Sequence, residues 1–382
     1  MRVMISCGEP SGDLYAGALA AAVRARVPDV EIFGLGGERL QAAGADLVAH
    51  YSGISVTGLT EALRVLPEAR RVLHRLVDEA TRRRPDVFVA VDFPDFNFRL
   101  MARLQAMGVP VVYYISPQLW AWRSGRMRTM QRYVKKVLVI FPFEEDLYRR
   151  AGVPVQFVGH PLVDMSMTAV AGHDRKEFLS ALGLRTDVPT VALLPGSRPN
   201  EMRRHVPILA AAMPLIAARV PTVQFIVARA PHVVDELYMP LRRAGMDCVR
   251  PLVTVRDQTD AVLASTDVAI TASGTATVQC AIHRRPMVVI YKLSGLSHAL
   301  LRPFVHVDAA AMPNLVAGER IVPELIQRDC TPAGVAEEAV ALLTDQERHA
   351  RMRDALGAVR DRLSLPGATA RAAEAVIAAA TS

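Results

Sequence analysis

Val87-Phe88-Val89-Ala90-Val91-Asp92-Phe93-Pro94-Asp95-Phe96-Asn97 decides how the rest of the chain is read. Five apolar residues in a row leave no polar face, as in a strand covered on both sides, and Pro94 stops the run because it has no N–H for a sheet ladder. A helical pattern from about Phe98 to Met107 follows, so the unit is strand, turn, helix. The same unit recurs on either side. Further strands are expected at Val3 to Cys7, Glu31 to Leu35, Val111 to Ile115, Lys136 to Ile140 and Val155 to Val158, with helices between them. The pattern restarts with Thr190 to Leu194, Val223 to Ala228, Val249 to Val253, Val268 to Ala272 and Met287 to Tyr291. Strands alternating with helices in this way predict an α/β protein of two doubly wound, Rossmann-like domains whose strand ends face a central cleft.

A polar stretch containing Ala171-Gly172-His173-Asp174-Arg175 separates the two series. The expected organisation is therefore an N-terminal domain over residues 1–164, a linker over 165–189, a C-terminal domain over 190–345 and closing helices over 346–382. Nucleotide-sugar glycosyltransferases, epimerases and bilobal binding proteins all share this outline, so the loops must discriminate.

Composition narrows the class. The 382 residues are 51% hydrophobic and 22% charged, the balance of an ordinary globular protein. The longest apolar stretch, Val206 to Ala218, is too short to span a bilayer. No charged leader precedes the strand starting at Arg2, which predicts a cytoplasmic location. Cys7, Cys248, Cys280 and Cys330 form no CxxC pair and read as free thiols, so no metal centre is expected. The net charge of +7 is concentrated: Thr57 to Lys136 holds 15 basic and 7 acidic residues. Such a surface fits an anionic partner (nucleic acid, phospholipid or phosphorylated substrate) or a solvated arginine-rich face.

The first strand runs into Gly8-Glu9-Pro10-Ser11-Gly12-Asp13, where small residues let a ligand approach a helix start. Ser11 would equally serve as that helix's cap. Asp95 falls just past a strand's carboxyl end, where a general base could take a proton from an attacking alcohol. Asp95 or Asn97 would equally cap the following helix. Ser116-Pro-Gln-Leu-Trp120-Ala-Trp122-Arg123 holds both tryptophans, as a sugar-binding wall or as packing under a loop.

In the second series, Leu194-Pro-Gly196-Ser197-Arg198 and Ala272-Ser273-Gly274-Thr275-Ala276-Thr277 each join a strand to a helix. Backbone donors, a guanidinium and a helix start, on opposite strands of one sheet, suit a nucleoside diphosphate. Neither a Walker loop nor GxGxxG is present, which weighs against ATP and dinucleotides.

These motifs, with Gly-Leu-Gly-Gly at 34–37, Pro-Asp-Phe-Asn at 94–97, Phe-Val-Gly-His-Pro-Leu at 157–162 and Pro-Asn-Leu at 313–315, resemble in order the lipid-A-disaccharide synthase family. The resemblance implies a GT-B fold and inverting transfer of 2,3-diacylglucosamine from UDP-2,3-diacylglucosamine to the 6-hydroxyl of 2,3-diacylglucosamine 1-phosphate, without cofactor or metal. It implies Asp95 as the leading base candidate and Glu9 as a second catalytic residue on the acceptor side, with Ser11, Gly12, Asp13, Trp120 and Trp122 as the other acceptor-side residues. Gly196, Ser197, Arg198, Ser273, Gly274, Thr275, Gln279 and Asn314 would hold UDP. Gln279 stands where the family pattern commonly has Glu, an amide that still bonds a ribose hydroxyl but without charge assistance. The implied location is the cytoplasmic face of the inner membrane, with no nucleic-acid partner and with a homo-oligomer left open. Another UDP-sugar enzyme of this fold, such as a 2-epimerase, is the alternative, and a non-catalytic bilobal binding protein is a further one.

The basic region offers the membrane contact. Between Leu59 and Arg84, Leu59, Leu63, Leu66, Val72, Leu73, Leu76 and Val77 interleave with arginines, and Pro67 is expected to break the stretch into two helices. The apolar side either packs on the first sheet or rests with Arg70, Arg71 and Arg75 on an anionic leaflet.

Overall fold

A computed structural model describes residues 1–54, 59–119, 124–230, 233–247, 252–292 and 310–381. Its elements begin with β1 (Arg2–Ser6), α1 (Pro10–Arg26), β2 (Glu31–Gly36), α2 (Glu38–Ala42), β3 (Asp46–His50), α3 (Leu59–Arg83), β4 (Val87–Val91), α4 (Pro94–Ala106), β5 (Val111–Tyr114), α5 (Met127–Tyr133), β6 (Lys136–Val139), α6 (Pro142–Arg150) and β7 (Val155–Phe157). They continue with α7 (Pro161–Ala169), α8 (Arg175–Ala181), β8 (Thr190–Leu194), α9 (Pro199–Arg219), β9 (Gln224–Arg229), α10 (Met239–Asp247), β10 (Leu252–Arg256), α11 (Thr259–Ser265), β11 (Val268–Ala272), α12 (Thr275–Ile282) and β12 (Met287–Tyr291). The remainder is α13 (Met312–Ala317), β13 (Glu324–Ile326), α14 (Pro332–Thr344), α15 (Gln346–Leu363) and α16 (Ala368–Thr381).

Both sheets are wholly parallel. The first runs β3-β2-β1-β4-β5-β6-β7 and the second β10-β9-β8-β11-β12-β13. Each is doubly wound, reversing direction between its first strand and the one that pairs with it on the other side: β1 with β4, Val3 opposite Val87, and β8 with β11, Val191 opposite Val268. Ligands of such sheets bind outside the strands' carboxyl ends at that reversal. The residues there are 7–13 and 92–97 in one domain, and 195–198 and 273–275 in the other.

All five β4 residues are buried, as an unbroken apolar run requires. One face of the first sheet, with Met4, Phe33, Phe88, Val111 and Tyr113, packs on α3 and α4 through Val72, Leu73, Leu76, Leu100 and Leu104. α16 covers the opposite face, packing against α1, β4 and β5 through a small-residue side of Ala372, Ala375, Val376 and Ala379. In the second domain α14 packs on α9, β11 and β12, while α11 and α12 lie on the sheet with α15 against α12.

Several expectations change. Pro67 lies inside a continuous α3 rather than dividing it. A proline removes one backbone donor at a cost of about 3 kcal/mol, which burial of Val72, Leu73 and Leu76 at roughly 1.5–3 kcal/mol each outweighs. That burial also takes these three side chains away from any membrane role. Residues 165–189 are not a free linker: one compact unit comprises Met1–Pro161 with Leu365–Ser382, and α7 and α8 belong to the other. Bidentate pairing of Arg175 with Asp267 at 2.8 and 2.9 Å, and a bond from His173 to Ser265 at 2.7 Å, fasten that segment to the second domain. The closing helices separate as well, α15 staying with the second domain and α16 returning to the first.

Candidate functional site

In the first domain, Glu9 occupies the N-cap position of α1 with extended backbone and Pro10 at the first turn, so Ser11 is inside the helix and does not cap it. Gly12 is buried against Cys7. Asp13 does something the sequence did not disclose. It is 3% exposed, and its carboxylate accepts from the backbone N–H of Gly37 at 2.7 Å, Arg39 at 2.9 Å and Leu40 at 3.2 Å. Gly37 precedes α2 and carries no side chain to cap it, so Asp13 supplies the acceptor from 24 residues away. A carboxylate so occupied fixes the junction between β2 and α2. Burial, with the Asp13 charge nearby, pushes the Cys7 thiol well above its usual value, so Cys7 is no nucleophile.

The loop after β4 starts at Asp92 as expected, but the helix that follows it begins at Pro94 and not at Phe98. Asp92 and Phe93 both have left-handed backbone, φ 46° and 51°, and α4 starts at Pro94 with Phe93 as N-cap. Neither Asp95 nor Asn97 caps it, because Phe93 holds the N-cap position, without a side-chain bond, and both lie inside the helix. Asp95 stands on the first turn, 69% exposed, and pairs with the Arg126 guanidinium. Arg126 lies over the Phe98 ring, 5.2 Å from its centroid. Asn97 is turned inward, onto Ser6 and Asp92. The Trp120 and Trp122 expectations lie outside the described residues.

In the second domain, β8 and β11 are immediate neighbours, so their loops adjoin. Arg198 is the N-cap residue of α9 by position, with 42% of its side chain exposed, and it reaches Glu201 at 3.4 Å. Ser197 is exposed beside it, and Gly196 sits close to Glu201. Behind this loop, buried His205 donates from Nδ1 to the Pro195 carbonyl at 2.8 Å and accepts the Lys292 N–H on Nε2 at 3.0 Å. Those two partners define its neutral tautomer, and burial holds its pKa below the usual value. No local motif marks His205, because its partners come from two other segments.

At the other loop, Gly274 takes φ 141°, a conformation costly to any residue with a side chain, and starts α12. Gly274 and Thr275 are exposed at the helix start, where backbone N–H groups lack intrahelical partners. Ser273 spends its hydroxyl on the Ala310 carbonyl at 2.8 Å. Gln279 points to α11, its amide 3.3 Å from both Asp260 oxygens, while His283 binds the same carboxylate at 2.8 Å. Burial alone would raise the Asp260 pKa, but these bonds hold it below the usual value. Asn314 is 2% exposed, gives its amide hydrogens to the Val322 carbonyl at 3.0 Å and Glu324 at 2.7 Å, and accepts from Ile321 and Val322 at 2.8 and 2.9 Å. Every bonding capacity of that amide is used within the chain, so the Asn314 side chain shapes this loop. Glu324, absent from the sequence reading, also accepts from the Ala310 and Ala311 N–H groups.

The model of the family described as lipid-A-disaccharide synthetase matches residues 3–378. The chain belongs to that family. A lipid-A-disaccharide synthase of Myxococcus xanthus is 42% identical over 98% of this chain and 97% of its own length. One from Alkalilimnicola ehrlichii is 44% identical over 100% and 99%. Lipid-A-disaccharide synthases are glycosyltransferases of lipid A biosynthesis, and the chain is an enzyme of that class. Among solved structures, the UDP-GlcNAc 2-epimerase of Neisseria meningitidis bound to UDP-GlcNAc superposes with TM-score 0.68 at 10% identity, over 99% of this chain and 100% of that one. The Anabaena HepE complex with UDP-glucose gives 0.61 at 14%, with the same coverage. These likenesses carry the GT-B fold and nothing about substrate.

Proposed function

We propose that the enzyme transfers 2,3-diacylglucosamine from UDP-2,3-diacylglucosamine to the 6-hydroxyl of 2,3-diacylglucosamine 1-phosphate with inversion, giving the β-1,6-linked disaccharide 1-phosphate and UDP. The observation that carries this is the exposed Asp95 carboxylate at the reversal point of the first sheet, in a chain of this family. Asp95 takes the proton of the 6-hydroxyl, the freed oxygen attacks the anomeric carbon of the donor, and the bond from that carbon to the diphosphate breaks with its electrons leaving on UDP. Arg126 steers the carboxylate, and Glu9, on the adjoining loop, orders the acceptor sugar with Ser11.

The leaving diphosphate gathers negative charge, which fixed donors stabilise without reorganising. Arg198 with the Gly196–Ser197 backbone, and the α12 start at Gly274 and Thr275, are the donors of this reading. Ser273 and Gln279 support them by holding the Ala310 segment and Asp260.

Among the described residues no helix is long and apolar enough to cross a membrane. In this reading charge supplies contact with the anionic cytoplasmic leaflet: Arg70, Arg71 and Arg75 lie on the exposed side of α3, near-surface basic residues being worth about 1 kcal/mol each.

UDP release measured with and without the lipid acceptor tests the reaction. Acceptor-dependent release, reduced about 100- to 10,000-fold in Asp95→Asn with normal unfolding, is expected. Release that ignores the acceptor overturns the transfer, and a well-folded Asp95→Asn with near-normal turnover removes Asp95 from the chemistry. Activity is expected to persist in EDTA.

A further inference from the structure

The turn that delivers Asp95 holds two non-glycine residues in the left-handed region, an aspartate that tolerates it and a phenylalanine that does not. Asp92 and Phe93 are consecutive non-glycine residues with left-handed backbone, a conformation that persists only when the surroundings impose it. The imposing groups are visible. The Asp92 carbonyl accepts from Asn97 Nδ2 at 2.7 Å and from the Tyr113 hydroxyl at 2.7 Å. Asn97 is 0% exposed, and the same amide also accepts from Ser6 Oγ at 2.6 Å and donates to the Ser6 carbonyl at 3.2 Å. Ser6 is the last residue of β1, three residues before Glu9. The turn and the Glu9 loop meet a second time at Phe93, whose ring lies where a side chain at Gly8 would be, a Cβ there falling 2.2 Å from ring carbons.

We infer that Asn97 is a positioning residue for the transfer reaction: from the buried side of the turn it locks Asp92 and Phe93 in their strained conformation and ties them to Ser6, setting where Asp95 stands relative to Glu9. Asn97 touches no substrate. Its donor role admits no carboxylate substitute, because Asn97→Asp would set an anion against the carbonyls of both Ser6 and Asp92. The inference rests on Asp95 as base, so its test separates the two claims.

Asn97→Ala, Asn97→Asp and Tyr113→Phe are compared with wild type for kcat, KM for each substrate, UDP affinity by calorimetry and thermal unfolding. Misplacing a reacting group by about 1 Å costs on the order of 100-fold. The Asn97 variants are therefore expected to lose about 10- to 100-fold in kcat while donor KM and UDP affinity change little. Tyr113→Phe keeps the ring and loses only its bond to Asp92, and is expected to lose less. In an Asp95→Asn background, with residual turnover followed by radiolabelled donor, Asn97→Ala should add less than about twofold, because residues acting as one unit are not additive. Fully additive losses, or unchanged kcat with only lower thermal stability, overturn the inference. If Asn97→Ala does not fold, unchanged kcat in Tyr113→Phe overturns it. An active Asp95→Asn with a crippled Asn97→Ala would instead defeat the base assignment and this route of action together, whereas an inactive Asp95→Asn beside a fully active Asn97→Ala defeats only the positioning claim.

Discussion

Replacing Asp13 should injure the first domain's fold before it injures chemistry. Its buried carboxylate meets three backbone donors at the start of α2, at 2.7, 2.9 and 3.2 Å. Asp13→Asn keeps one acceptor oxygen but turns an NH2 toward an N–H, leaving a buried donor unsatisfied at about 1–3 kcal/mol and weakening the charge-assisted bonds that remain. Against this stands the relief of no longer burying a charge, so a net loss of about 2–3 kcal/mol is expected, and about 3–4 kcal/mol for Asp13→Ala. In a domain of this size each kcal/mol shifts Tm by roughly 2–4 °C, which places the Asn variant about 5–10 °C below wild type. Calorimetric unfolding reads the shift, and UDP titration serves as control because Gly196–Arg198 and Gly274–Thr275 belong to the other domain. Turnover below the transition should fall only modestly. A Tm unchanged within about 1 °C, together with collapsed turnover, would refute the capping argument and return Asp13 to the acceptor.

Arg198→Ala should weaken both UDP binding and turnover, the latter by about 2.7–4 kcal/mol if it resembles loss of one preorganised oxyanion donor; unchanged UDP affinity by calorimetry would move the diphosphate elsewhere. Stability should fall on acidification: burial lowers the His160 pKa to about 3, so below about 6.5 the unfolded chain binds a proton that the folded chain refuses. The contribution is fully present above that pH and declines by up to about 1.4 kcal/mol per unit as pH drops, with His205 acting in the same direction, and a variant lacking His160 should show a shallower slope between about pH 7 and 5. Binding to vesicles should rise with anionic lipid, fall with salt and drop in an Arg70, Arg71, Arg75→Glu triple variant, as co-sedimentation will show; equal binding of both proteins refutes the α3 contact.

Where a residue's environment is local, the sequence disclosed it. β4, β8 and β11 are unbroken apolar runs, and the turns that follow them carry Asp95, Arg198 and Gly274 to the reversal points. β3 escaped because Asp46 and His50 flank only three apolar residues, and β13 because it is three residues long at a sheet edge. Asp13, His205 and Asn314 were illegible for one shared reason. Each satisfies backbone groups from a distant or irregular segment, and no periodicity records which loop will arrive beside it. Gln279 reads differently for the same reason, its partner Asp260 lying on the preceding helix.

The return of α16 to the first domain has a consequence for synthesis. Residues 1–161 emerge from the ribosome first, yet the helix that covers α1, β4 and β5 is translated only after the second domain's described elements are complete. At about 5–20 residues per second, the interval of some 200 residues lasts on the order of 10–40 s. Throughout it, that face of the nascent first domain lacks its own cover, and Arg371 has not yet reached the Val158 carbonyl that it binds at 2.7 Å. The earlier domain in the chain is thus the later one to mature, and stalling or truncation before residue 368 should yield a chain with a sound second domain and a first one that chaperones retain.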